Sequence, residues 1–122
     1  MSAETITTDV YVDEIALEHK LENLIDDTVM LQVNNLFAKM CDPYVPYLEN
    51  PLSTTLEITS EYVKYLVPYA HYQYTGDNFN FTKDRHPLAT ARWDKVMMQN
   101  HRDEFEQQVK ELLLARAKKL YG

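Results

Sequence analysis

Glycine is almost missing from this chain. Its 122 residues include two, Gly76 and the terminal Gly122, too few for a phosphate-cradling glycine loop. Ser53 and Ser60 likewise lack the glycines of a nucleophile elbow. Cysteine is scarcer still. Cys41 alone can close no internal disulfide, which fits a reducing compartment. No C-x-x-C or H-x-x-x-H spacing occurs, and neither a metal nor any other cofactor is expected. No apolar run approaches the roughly 18 residues of a membrane span. Met1 to Thr5 carries no basic cluster and no apolar stretch, so a secretion signal is not expected. Without secretion, the Asn80-Phe81-Thr82 glycosylation match is idle.

Bases are scarce at one end only. Residues 1–42 hold nine acids against Lys20 and Lys39, whereas residues 83–122 hold six acids against nine bases. The overall charge of −7 argues against a surface that tracks phosphates. Its uneven spread suits solvated helix faces, and equally a subunit whose acidic face stacks on the basic face of the next. Hydrophobic residues make up 45% and charged residues 25%, as in an ordinary globular chain, and the length implies one domain, 1–122, with a modest core.

Periodicity gives the elements. Thr5 to Val12 is rich in β-branched residues and predicts a first strand. Leu21, Leu24, Ile25, Thr28, Val29, Gln32, Leu36 and Met40 form one helical stripe, predicting a long helix from about Asp13 to Met40 that ends at Asp42-Pro43. Three prolines between Asp42 and Pro51 predict an extended connector. Ser53–Ile58 and Glu61–Val67 predict two strands joined at Thr59-Ser60, and Pro68 stops the second. A last helix, capped near Thr90 and running to about Leu120, carries Trp93, Met97, His101, Phe105, Val109, Leu112 or Leu113, and Leu120 on one stripe. The expected fold is therefore α+β: a long N-terminal helix packed on a small antiparallel sheet, plus a C-terminal helix.

Chemistry is hard to find. Cys41 falls at a helix C-terminus, where the dipole opposes a thiolate. A lone histidine on a stripe, as His101 is, acts more often as a satisfied core or interface group than as a catalyst. The strongest local signal is aromatic. Tyr69, Tyr72, Tyr74, Phe79, Phe81 and Trp93 crowd the stretch from Leu66 to Trp93. Rings bury much area at low entropic cost, and a small core holds only some of them. The expected core comprises Leu24, Val29, Leu36, Tyr69, Trp93, Met97 and Phe105. Tyr72, Tyr74, Phe79, Phe81, His86, Lys118 and Lys119 are the candidate partner or oligomer contacts.

The same stretch carries a resemblance. Pro68-Tyr69-Ala70, then Gln73-Tyr74 with Gly76 close behind, then His86-Pro87-Leu88-Ala89-Thr90 shortly ahead of Trp93, resembles the minor capsid protein family of tailed bacteriophages and prophages. Asp42-Pro43-Tyr44-Val45-Pro46-Tyr47 resembles that family's entry into its first hairpin. Where the family has a Thr-Gly or Ser-Gly turn, this chain has Leu48-Glu49-Asn50-Pro51-Leu52. The likeness spans about Asp42 to Phe105. It implies a non-enzymatic virion protein, assembled in the host cytoplasm, that acts in head–tail joining as a neck or tail-completion subunit. It further implies a homo-oligomeric ring between the portal or connector and the tail, with DNA passing through unbound and no membrane involved. The residues alone also allow a cytoplasmic adaptor or regulator that binds one protein partner as a monomer or dimer.

Overall fold

A computed structural model describes residues 4–45, 56–66, 74–75 and 91–121. Three short strands form one antiparallel sheet in the order β1-β3-β2: β1 (Glu4–Ile6), β2 (Leu56–Ile58) and β3 (Val63–Tyr65). In the register, Ile6 and Ile58 both oppose Val63, while Glu4 and Leu56 both oppose Tyr65. Directly opposed residues share a face. Ile6, Val63 and Tyr65 are buried on it, and Leu56 and Ile58 flank them half-buried. The other face sets Lys64 between Thr5 and Glu57, an opposite-charge pair across β2 and β3. Between these two strands the Thr59 hydroxyl accepts from the amides of Glu61 at 3.1 Å and Tyr62 at 3.2 Å, a turn closed without glycine.

Helix begins earlier than the sequence pattern suggests, and it breaks once. The expected strand to Val12 stops at Ile6, and α1 runs Asp9–His19. On a strand Val10 and Val12 would share a face. On the helix Val12 is buried and Val10 points to solvent. The single helix expected to Met40 is two helices, α1 and α2 (Asp27–Cys41). Lys20 adopts φ 59°, its amide donates to the Leu17 carbonyl and that of Leu21 to the Ala16 carbonyl. That pair of bonds is a Schellman cap with lysine where glycine is the usual occupant. A 3₁₀ turn at Glu22–Leu24 follows, and Asp26 then caps α2 by accepting from the Val29 amide at 2.9 Å. Leu21, Leu24 and Ile25 keep the apolar rhythm through the break, which is why periodicity alone runs past it.

The buried stripe of α2 is Val29, Val33, Phe37 and Cys41. The expected stripe through Gln32, Leu36 and Met40 lies one residue away, about 100° around the helix. Leu36 and Met40 therefore pack half-buried at the rim, and Gln32 is exposed. Asp42 keeps right-handed helical angles (φ −50°, ψ −45°) despite the proline after it, and Pro43 continues into one 3₁₀ turn, so no extended connector begins there.

The last helix, α3 (Trp93–Tyr121), packs along both α1 and α2. It is interrupted at His101 (φ −132°, ψ 25°). The reason lies in its spacing. Trp93, Met97, His101, Phe105, Val109 and Leu113 follow one another every four residues. In a straight helix each such step drifts about 40°, so this row would wind more than halfway round the axis. The break resets the phase, and Trp93, Met97, Phe105, Val109 and Leu113 are all fully buried. The start at Trp93 follows Arg92, which holds φ 48°. Thr90, the expected cap, lies outside the described residues.

Candidate functional site

Two aromatic clusters tie the elements together. Tyr11, Phe37 and Phe105 bring α1, α2 and α3 to one point, the Phe37 and Phe105 rings meeting edge-on at 5.7 Å. At the other end Trp93 takes Tyr65 and Tyr74 edge-on, each at 5.0 Å, and the Arg92 guanidinium lies 5.5 Å from the Tyr74 ring centre. The Arg92 amide donates to the Tyr74 carbonyl at 2.7 Å. Tyr74, expected as a partner contact, is 8% exposed and belongs to the core, because the start of α3 closes over it.

Next to this cluster, buried polar groups gather without an exposed nucleophile. Asp94 is 4% exposed. One of its oxygens and the Trp93 indole nitrogen find no hydrogen-bond partner among the described residues. Burial first, then the Asp94 carboxylate, pushes the Tyr74 hydroxyl well up from its ordinary range. Burial likewise raises the Cys41 thiol, with Asp94 and Asp42 adding to it. A fully buried thiol held protonated is a packing group, not a nucleophile.

Polar ties between distant segments are the larger electrostatic feature. Both oxygens of Asp26 are engaged: one caps α2, and the other receives Arg116 of α3, whose Nε and a terminal nitrogen both lie 2.8 Å away. The Val29 amide, with help from Arg116, holds this carboxyl below its ordinary range. Arg102 reaches Glu14 at 3.3 Å, and His19 lies 3.8 Å from Glu106, with Glu18 beside them. Exposed carboxylates gather in this way without a metal, and the group serves as an α1–α3 ion pair when His19 is protonated. At the break in α3, the ring of His101 shares a 2.8 Å hydrogen bond with the Tyr44 hydroxyl. A shallow groove of about 270 Å³ runs beside it, floored by Met40, Pro43 and Tyr44. Sequence reasoning missed these pairings because their partners lie 57 to 90 residues apart.

Of the other candidate contacts, Lys118 and Lys119 are exposed near the end of α3. Tyr72, Phe79, Phe81 and His86 lie outside the described residues, as does Tyr69 of the expected core. Leu24, Val29, Trp93, Met97 and Phe105 are buried, and Leu36 is half-buried. No helix of the described residues is long and apolar enough to cross a membrane. A family model described as minor capsid protein matches residues 6–112 of the chain. No curated protein and no solved structure matches it.

Proposed function

We infer a place at the junction of head and tail for this chain, which belongs to the minor capsid protein family and is a structural protein of the phage virion. In this reading the subunit forms a homo-oligomeric ring between the portal or connector and the tail, as a neck or tail-completion layer. The work is docking, not catalysis. It needs a rigid body with unlike surfaces, so that one copy recognises the next and the stack keeps its direction.

The observation that carries the reading is the charge layout. Acids dominate α1 and the start of α2, and the exposed end of α3 carries Lys118 and Lys119. A lumen lined with acids lets DNA pass without holding it. Assembly in the host cytoplasm precedes entry into the virion. The test is light-scattering mass of the chain alone and mixed with portal or tail-tube protein, followed by negative-stain images. A defined ring added to either partner is the expected result. A chain that adds no mass to either partner overturns the joining role and favours a free adaptor.

A further inference from the structure

Two surface stripes are left unused by the core. On α1, Val10 and Leu17 are 63% and 66% exposed. They stand seven residues apart, hence two turns and about 10 Å apart on one face. Exposed Asp13 lies between them on that face. On α3, Leu114 and Tyr121 are 47% and 74% exposed at the same seven-residue spacing, with exposed Lys118 between them. Single exposed leucines need no explanation. Two stripes of equal length, apolar at both ends and opposite in charge at the middle, do.

We propose that these stripes meet between copies of this chain, the Val10–Asp13–Leu17 face of one subunit docking on the Leu114–Lys118–Tyr121 face of the next. The apolar side chains pair end to end, and Asp13 meets Lys118 at the centre. Charge excludes the symmetric alternatives. Two α1 faces would set Asp13 against Asp13, and two α3 faces Lys118 against Lys118, and like charges across an interface are unfavourable. The contact is therefore heterologous, and its repetition closes a ring when the rotation per subunit allows. Only that closure and its place in the particle rest on the joining role; the contact itself does not. The α3 stripe is available because Arg116, lying between Leu114 and Lys118 in sequence, turns inward to Asp26 and fixes the helix with the stripe outward.

Sedimentation of the full chain at concentrations up to about 1 mM, in low and high salt, tests the seam. Mass rises with concentration in the wild type, less so in high salt. Asp13→Lys and Lys118→Glu each weaken association about tenfold or more. An equimolar mixture of the two variants recovers it, since each then offers the other a complementary face, and so does the doubly reversed chain. Both positions are exposed, so unchanged melting confirms that folding is intact. A wild type that stays monomeric throughout overturns the seam, as does a doubly reversed chain that fails to recover. The two proposals fail separately: Asp13→Lys adding a normal ring to portal or tail tube sinks the seam and spares the junction role. Self-association with no binding to either partner does the reverse.

Discussion

At the scale of single residues, two side chains hold more than their own element. Trp93 opens α3 and sits fully buried between Tyr65 of β3 and Tyr74. Trp93→Ala removes the ring on which sheet and helix meet, and its expected cost is roughly 3–5 kcal/mol in denaturant unfolding. A midpoint within error of wild type would contradict the packing described. Asn34, fully buried on α2, accepts from the Thr8 hydroxyl and donates to the Thr59 carbonyl at 2.7 Å. It joins the entry of α1 to the β2–β3 turn. Trp93 was legible in the sequence because it opens an apolar row. Asn34 was not, because a polar residue inside a helical stripe carries no sign of which distant groups it satisfies.

At the scale of elements, the chain spells out kinds of element better than their breaks. The β2–β3 pairing around Thr59 and the last helix were both legible, since alternation and a four-residue row are local signals. The row even contained the break at His101, once its drift around the axis is counted. The division of α1 from α2 was hidden by the apolar rhythm of Leu21 to Ile25, although Asp26 is an ordinary capping residue in plain view. That cap has a pH signature. The Asp26 carboxyl titrates lower in the folded chain than its unfolded value of 3.8, chiefly through the Val29 amide. Its contribution is thus present above that unfolded value and lost as pH falls through the folded one. Asp26→Asn keeps a capping oxygen but loses the charge that faces Arg116. The variant should melt below wild type at pH 7, and the gap should close in acid as the pH falls through the lowered range of the folded carboxyl. Melting curves from pH 7 to pH 2 check this, and a gap that persists in acid would assign the loss to cap geometry instead.

At the scale of the whole molecule, the proposed ring would require a net charge of −7 to coexist with DNA threading it. Phosphate affinity scales with the number of bases that can face one strand, each contact adding about 0.9 to the salt slope. Among the described residues the exposed bases are Lys20, Lys39, Arg92, Lys95, Arg102, Lys118 and Lys119. Arg102 is engaged with Glu14 and Arg116 with Asp26, and of the remaining described bases only Lys118 and Lys119 are adjacent in sequence, at the end of α3. If the seam forms, Lys118 is engaged as well. Bases scattered among acids on a chain of net charge −7 leave few to face one strand together, so a shallow salt slope and no saturable binding at about 0.15 M salt are expected. Fluorescence anisotropy of a labelled duplex, titrated with the chain up to about 0.1 mM, should stay flat at that salt and rise only weakly at low salt. A saturable curve with a slope of about 4 or more would mean that a basic surface faces the DNA. The acidic lumen, and with it the idea of a ring that lets DNA slide, would then have to be given up.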